Sequence, residues 1–393
     1  MKTTMDFLAE EGMERSEGTH IPFNWPGLVG RELEYLQQAV VSGHIAGDGQ
    51  FTRKCQSFLE AELGVAKALL TSSCSHALEM AAILLDIKAG DEVIVPSFTF
   101  VTSANAFVLR GAKPVFADIR PDTLNLDETK LERLVSPRTK AIVVVHYAGV
   151  GCELDTILEI ARRCKLPVVE DNAHGLFARY KGKFLGTFGD LATQSFHETK
   201  NFSCGEGGAL LVNQPSLIER AEIVREKGTD RSRFFRGQVD KYGWVDIGSS
   251  YLPSDILAAY LWGQLESREQ IQKTRRRIWM AYRDGLDRWS QRNGVRLPVV
   301  PAECEQSYHM FYILLPNLAA RQGLIAWLKQ RGISAVFHYL PLHSSKFGRT
   351  LAGQADCPVT TDVSDRLLRL PLFNALGEPA ARRVIEAVSA FDV

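Results

Sequence analysis

The chain has 393 residues, a length that at about 100–200 residues per domain allows two to four domains. Hydrophobic residues make up 45% and charged residues 23%, which is ordinary for a globular protein and excludes collagen-like, coiled-coil and wholly disordered chains. Lys plus Arg (46) balance Asp plus Glu (46), so the chain lacks the positive field that binds nucleic acid, and we expect no nucleic acid partner.

The first 20 residues (1–20) are predicted to form an N-terminal extension. Acidic residues interrupt it where a secretory signal requires an unbroken apolar core, at Asp6, Glu10, Glu11 and Glu14. The longest uncharged stretch, 93–109, is too short for a confident membrane span and contains proline and several hydroxyl side chains. We therefore expect a cytoplasmic protein with no membrane partner.

Residues 21–253 are predicted to form a large α/β domain. Short apolar runs alternate there with helix-like segments, and the runs read DEVIVPSFTF, KPVFADI, AIVVVHYAG, LPVVEDNAHG and GGALLVN. Such runs separated by helical lengths indicate a mostly parallel sheet covered on both faces. The helix after Ser75 illustrates the pattern, because Leu78, Ala81, Ala82 and Leu85 fall on one apolar stripe.

The remaining pattern predicts a bridging helix and a smaller domain. A helical pattern begins at the Pro253-Ser254-Asp255 cap signal and continues without proline, so one long interdomain helix is predicted over 254–290. Residues 291–393 then alternate predicted strands (HMFYILL, ISAVFHYL) with amphipathic helices and suit a small C-terminal α+β domain.

The chain contains no motif for two classes of site. The seven cysteines include no Cys-x-x-Cys pair, so we expect neither a structural metal nor a disulfide framework. No G-x-G-x-x-G follows a predicted strand, which argues against a dinucleotide-binding dehydrogenase.

Candidate functional residues follow the apolar runs, where parallel strands present their carboxyl ends to ligands. They form four groups: Asp171 with His174, Phe98, the serine-rich turn Ser73-Cys74-Ser75, and Ser195 with Lys200. Each group alone has a simpler explanation. A carboxylate or serine after a strand is often a helix cap, a phenylalanine is usually core, and a lysine is usually a solvated charge.

Pyridoxal phosphate requires all four groups together, and this joint occurrence favours it as the cofactor. It needs an amine for a Schiff base (Lys200) and an acid opposite its ring nitrogen (Asp171). Backbone N–H groups near Cys74 at a helix N-terminus, with the Ser195 hydroxyl, would hold its phosphate. Phe98 would cover one ring face, and the side chain at position 174 would reach the ring hydroxyl.

The chain resembles the DegT/DnrJ/StrS family of sugar aminotransferases. The resemblance spans residues 21–391 and rests on segments such as PSFTFVTSANAFVLRGAKPVFADIRPDTLNLDE, VVVHYAGVGCELD, VVEDNAHG, SFHETKN and FHYLPLH. It implies the type I aspartate-aminotransferase fold of pyridoxal-phosphate enzymes. It also implies that Lys200 carries the cofactor, that Asp171 is the partner of the ring nitrogen and that Ser195 contacts the phosphate.

The chain departs from the family pattern at three places. His174 stands where the family usually has glutamine, and it would bring a titratable proton close to the ring. Ser73-Cys74-Ser75 replaces a common Gly-Thr pair. Ser250 stands where many relatives place an asparagine that reaches the phosphate from the neighbouring subunit.

The resemblance also implies the reaction and its partners. Glutamate would donate its amino group to the C4 ketone of dTDP-4-keto-6-deoxyglucose, giving dTDP-4-amino-4,6-dideoxygalactose and 2-oxoglutarate in a homodimer or a dimer of dimers. Arg231 and Arg236, in a segment rich in cations, would reach the substrate pyrophosphate across the interface, although charge alone favours a solvated surface loop. His338 and Tyr339 are candidates for the sugar pocket, with His146, His309, Tyr312 and His343 held more loosely.

Three other functions stay open at this point. A dTDP-3-keto-sugar aminotransferase would use the same chemistry on a different ketone. A sugar dehydratase on the same scaffold is disfavoured because such relatives have lost the lysine found at position 200. A non-catalytic regulatory protein could retain the fold without the activity.

Overall fold

A seven-stranded sheet forms the centre of the large domain in the computed structural model, which describes residues 20–352 and 355–393. Its strands are β1 (Lys67–Thr71), β2 (Glu92–Pro96), β3 (Lys113–Ala117), β4 (Thr139–Val145), β5 (Val168–Asp171), β8 (Leu191–Ser195) and β9 (Gly208–Val212). They lie in the order β1-β9-β8-β5-β4-β2-β3, and only β9 runs antiparallel to its neighbours. The predicted α/β class with a mostly parallel sheet is confirmed.

Helices cover both faces of this sheet, as the apolar runs predict. They are α1 (Glu32–Val41), α2 (Gln50–Leu63), α3 (Cys74–Leu84), α4 (Thr102–Val108), α5 (Leu154–Cys164), α6 (Ile218–Arg225) and α7 (Arg231–Phe235). Helix α3 begins where it does because the Ser73 hydroxyl accepts a hydrogen bond from the His76 N–H group (3.1 Å). Leu78, Ala81 and Ala82 on its predicted stripe are fully buried.

The predicted long helix is divided in two at Ser267. Helix α8 spans Asp255–Glu266 and α9 spans Arg268–Arg292, and the Ser267 backbone (φ −90°, ψ 16°) leaves the helical region between them. Each part packs on a different core, α8 through residues such as Leu261 on the large domain and most of α9 on the small one. Packing therefore overrides a local pattern that shows no proline or glycine at the break.

The small domain consists of a three-stranded antiparallel sheet and its helices. The strands are β11 (Phe311–Leu314), β12 (Val336–Phe337) and β13 (Leu367–Leu370), with β13 in the centre. The helices are α10 (Leu318–Gln330), α11 (Lys346–Ala352), α12 (Pro358–Arg366) and α13 (Glu378–Ser389). A minor sheet joins β6 (Arg179–Tyr180), β7 (Lys183–Phe184) and β10 (Cys304–Glu305).

The start of the described chain belongs to the small domain. Ile21, the predicted first residue of the large domain, is 2% exposed and packs in the small-domain core. Its N–H donates to the Gly332 carbonyl (2.7 Å), and its own carbonyl accepts from the Ser334 N–H (2.9 Å). The predicted extension otherwise lies outside the described residues.

Two kinds of feature are absent from the described residues. None of the helices in 20–352 and 355–393 is long and apolar enough to cross a membrane. Within the same residues, no cluster of His, Cys, Asp and Glu could hold a metal ion.

Candidate active site

A cavity of about 580 Å³ opens where β5 and β8 end, between the large sheet and the small domain. Nine of the predicted site residues line it, namely Ser73, Cys74, Ser75, Asp171, His174, Ser195, Lys200, His338 and Tyr339. The residues that were predicted from separate strands thus meet at one edge of the sheet.

Lys200 lies in a turn after β8, where its N–H donates to the His197 carbonyl (2.9 Å). Its amine makes no hydrogen bond or ion pair with any described residue. Burial lowers the pKa of Lys200 to about 8, although the negative groups nearby, Cys74 when ionised and Asp171, act in the opposite direction. About a tenth of this amine is therefore uncharged and nucleophilic at pH 7, far more than the free value of 10.5 would allow.

Asp171, at the end of β5, is held by two donors. The Ser103 hydroxyl donates to one carboxylate oxygen (2.6 Å) and the Ala173 N–H donates to the other (3.2 Å). Ser103 itself contacts the Thr99 hydroxyl (2.8 Å). Ser103 was not among the predicted site residues, and the one signal that could have found it is a hydroxyl residue in the first turn of the helix that follows β2.

The preceding residue, Glu170, points to the opposite face of the sheet and anchors the strand. It is fully buried beside His146 (2.9 Å) and accepts N–H hydrogen bonds from Gly186, Phe188 and Gly189 (2.7–2.8 Å). This network explains why His146, a loosely held candidate for the sugar pocket, lies outside the cavity.

The N-terminus of α3 and the end of β8 form a cup for an anion. The first-turn N–H groups of α3 have no acceptor within the helix, and the Ser75 and Ser195 hydroxyls bond to no described residue. Gly208 brings β9 against this turn, because a Cβ at that position would lie 2.4 Å from the Cys74 nitrogen. The Ser73 hydroxyl instead caps the helix, by accepting a hydrogen bond from the His76 N–H group.

Cys74, the middle residue of the turn, has a protected thiol. Its Sγ donates toward the Thr193 hydroxyl (3.5 Å), and burial raises the pKa of the thiol to about 12. The thiol therefore stays protonated, and its part in the cup is limited to its backbone.

Phe98 does not line the cavity, contrary to the prediction. It is 1% exposed and packs in the core between Tyr147 (5.1 Å between ring centroids) and Tyr339 (5.8 Å). Phe100, two residues further along, lines the cavity instead and is 55% exposed. The apolar run contains both aromatic residues, and the run alone does not reveal where the chain turns after β2 ends at Pro96.

Three histidines form an uncharged array beside Lys200. His174 stacks on His309 (4.3 Å between ring centroids), and His338 follows at 6.4 Å from His174. Burial, reinforced by nearby cations, holds the pKa of each ring well below its usual value. The titratable proton expected at His174 is therefore absent at neutral pH, and its Nδ1 is buried without a partner.

The cavity also receives Arg369, which the sequence analysis did not single out. Its Nη1 donates to His338 Nε2 (2.9 Å), and its guanidinium lies over the Phe23 ring (4.7 Å to the centroid). An isolated arginine in an apolar strand gives no sequence signal for its position, because it reaches the cavity only once β13 is central in its sheet.

Arg231, Arg236 and Ser250 do not reach the cavity within one chain. Arg231 pairs with Glu226 (3.4 Å) and Arg236 pairs with Glu222 (2.8 Å). Both arginines therefore form ion pairs with acidic residues nearby in the same chain. Ser250 pairs through its backbone with Glu226. Among the loosely held candidates, His309 lines the cavity, Tyr312 is buried without lining it, and His343 hydrogen-bonds Ser97 outside it (2.6 Å).

Comparisons with known proteins agree with this geometry. The model of the DegT/DnrJ/EryC1/StrS aminotransferase family matches residues 27–389. The chain belongs to this family. It is 31% identical to the spore coat polysaccharide biosynthesis protein SpsC of Bacillus subtilis (96% of this chain, 98% of the relative) and 31% identical to GDP-perosamine synthase of Escherichia coli O157:H7 (95% and 98%).

A solved relative connects the fold with the cofactor. The putative sugar aminotransferase Spr1654 of Streptococcus pneumoniae, 25% identical over 94% of this chain and 98% of its own, superposes with TM-scores of 0.87 and 0.86 in its PMP and PLP forms. Pyridoxal phosphate is the cofactor of this aminotransferase family. The cavity suits it, because it combines an unpaired buried amine, a fixed carboxylate, a cup of N–H and hydroxyl donors, and an orphaned imidazole nitrogen on His174.

Proposed function

We propose that this chain is an aminotransferase of the dTDP-4-amino-4,6-dideoxygalactose type. It would transfer the amino group of glutamate to the C4 ketone of dTDP-4-keto-6-deoxyglucose, with 2-oxoglutarate as the second product. The observation that carries the proposal is the unpaired amine of Lys200, buried with a depressed pKa in the same cavity as the fixed carboxylate of Asp171. The names of two relatives, a GDP-perosamine synthase and a polysaccharide biosynthesis protein, support a nucleotide-sugar substrate.

The residues that line the cavity have distinct roles in this proposal. Ser75, Ser195 and the first-turn N–H groups of α3 bind the cofactor phosphate, while Phe100 covers one face of the ring in place of Phe98. Asp171, held by Ser103, faces the ring nitrogen. When bound, pyridoxal phosphate supplies an electron sink for the carbon that exchanges its amino group.

Lys200 moves the protons. Because the lowered pKa raises the uncharged fraction of its amine near neutral pH, its Nζ can accept the proton from the α-carbon of glutamate. In the second half of the reaction the same Nζ delivers a proton to C4 of the sugar. The neutral histidines beside it accept or donate hydrogen bonds but add no charge that would compete with this transfer.

A homodimer would complete the site. The segment that carries Arg231 and Arg236 also exposes large apolar side chains, with Phe235 70% and Trp244 84% exposed. Such side chains are typical of an interface with a second copy. In that arrangement the two arginines and Ser250 would approach the substrate diphosphate and cofactor phosphate of the neighbouring subunit.

The test is to supply dTDP-4-keto-6-deoxyglucose with glutamate and identify the product by NMR. The proposal predicts a 4-amino-4,6-dideoxygalactose nucleotide. Turnover of a 3-keto isomer alone would move the reaction to the other ketone and keep the chemistry. A protein that binds no cofactor and shows no visible band removable by borohydride would instead be non-catalytic.

A further inference from the structure

A second cavity, of about 890 Å³, lies between the large domain and α9 and shares no lining residue with the active-site cavity. Its walls come from the end of α2, from β6 and β7, from the first two-thirds of α9 and from the segment 300–308. Small-molecule sites of this size are common where two domains meet, and most of α9 packs on the small domain. The proposed aminotransfer assigns no role to this second cavity.

Helix α9 presents three cations to the second cavity. Lys273, Arg276 and Arg283 are spaced by three and then seven residues, which places them on one side of the helix. All three are exposed, and none of them makes a hydrogen bond or an ion pair with a residue of the described chain. Arg277, which does not line the cavity, is instead paired with Glu378 (3.2 Å).

The large domain adds a cation from the opposite wall. The Arg179 guanidinium, on β6, lies over the Phe184 ring (3.6 Å to the centroid), and its Nη1 donates to the Gly182 carbonyl (2.7 Å). A further lining cation, Arg268, is already paired with Glu62. Positive groups therefore face the second cavity from both sides.

Acidic side chains offset part of this charge. Glu269 and Glu305 also line the second cavity, and neither forms an ion pair within the described chain. With the paired Glu62 included, the lining holds five cations and three acids, so it keeps a positive balance. A ligand held there against the two free carboxylates should carry more than one negative charge.

Much of the remaining lining is apolar. It includes Phe177, Met280, Val300 and the Trp279 ring, which lies beneath the Arg283 guanidinium (5.9 Å to the ring centroid). A ligand that fills the second cavity should therefore combine an uncharged body with a multiply charged group. A phosphate group has this charge, and its several oxygens can accept from separate guanidinium and ammonium groups at once.

We propose that the second cavity binds the phosphate groups of a nucleotide or a sugar phosphate. Lys273, Arg276 and Arg283 contact the phosphate from α9, and Arg179 contacts it from the large domain. This site does not depend on the proposed aminotransfer, so either proposal can fail without the other. Because the walls belong to separate parts of the fold, a bound ligand would link the large domain to α9.

Calorimetry on the cofactor-bound protein tests this, with ADP as the probe. The cavity variant, Arg276→Gln/Arg283→Gln, removes two lining cations. The control variant, Arg288→Gln/Arg292→Gln, removes two exposed cations from the same helix outside the second cavity, so both variants have the same net charge. Losing two charge-assisted contacts at an exposed site should weaken ADP binding about tenfold in the cavity variant. The control variant should match wild type.

Two further ligands identify what the second cavity recognises. Adenosine, which lacks phosphate, should not bind. Glucose 1-phosphate separates the two sources: tighter binding than ADP assigns the site to sugar phosphates and weaker binding assigns it to nucleotides, and either result supports a phosphate site. ADP binding that is absent from wild type, unchanged in the cavity variant or weakened equally in both variants would overturn the proposal. Adenosine that binds as tightly as ADP would also overturn it.

Discussion

The Ser103 hydroxyl lies 2.6 Å from Asp171, on the carboxylate oxygen that the backbone leaves open. This relationship ties the start of α4 to the end of β5 and fixes the acid that we propose faces the cofactor nitrogen. A serine that no sequence motif identifies thus stabilises the ionised carboxylate of the site.

Ser103→Ala should weaken both the cofactor site and the fold. A buried carboxylate oxygen loses its donor, which costs about 1–3 kcal/mol of stabilisation, so we expect roughly a tenfold or greater loss in pyridoxal phosphate affinity. Equilibrium dialysis with the cofactor measures this. Ser103→Thr keeps the hydroxyl and serves as the control; equal affinity in all three proteins would contradict the assignment.

Lys200 should give the cofactor-free protein a distinctive pH dependence of stability. The folded pKa of about 8 lies below the free value of 10.5, so between these values the unfolded chain binds more protons than the folded one. The free energy of unfolding should therefore rise with pH across this window, by up to about 3 kcal/mol. Urea titrations at several pH values measure it.

The matched variant for that experiment is Lys200→Met, which retains the length of the side chain without the amine. Other groups titrate in the same pH range. The contribution of the lysine is therefore the difference in the free energy of unfolding between wild type and Lys200→Met. A constant difference from pH 7.5 to about 10.5 would show that the amine is not desolvated.

Glu170 should be a stability residue without a direct part in chemistry. Burial alone would raise its pKa, but hydrogen bonds from His146 and the backbone N–H groups outweigh burial and hold the pKa below its usual value. Glu170→Ala leaves these donors unpaired and should cost about 3–5 kcal/mol in denaturant unfolding. Glu170→Gln should cost less.

The sign of the acid dependence follows from the lowered pKa of Glu170. Its stabilisation is fully present above the unfolded value of 4.5 and is lost as the pH falls through the folded value. Acid titration of wild type and Glu170→Gln should therefore converge at low pH. Stability curves of the two proteins that stay parallel at low pH would show that the Glu170 carboxylate is not the source of this stabilisation.

Phe98 and Phe100 form a matched pair that separates packing from cofactor contact. Phe98→Ala opens a hole in a closed core and should cost about 3–5 kcal/mol in stability. Phe100→Ala, at a half-exposed site in the cavity wall, should leave stability nearly unchanged and weaken cofactor binding severalfold. The reverse pattern would return the stacking role to Phe98.

The sequence predicts the parts of this protein that depend on local pattern. Apolar runs located most of the large sheet, and polar residues at their ends located Lys200, Asp171 and the serine turn, because parallel strands present their ends at one edge. What it could not predict depends on tertiary placement. The break at Ser267 follows from two competing cores, and Arg369 enters the cavity only through the central position of β13.

The position of Ile21 has a consequence for synthesis on the ribosome. The small-domain core combines this residue with side chains as distant as Val388, whereas the large sheet is complete once Val212 has emerged. The strands of the large sheet can therefore pair while translation continues, whereas Ile21 is buried only after α13 has been synthesised.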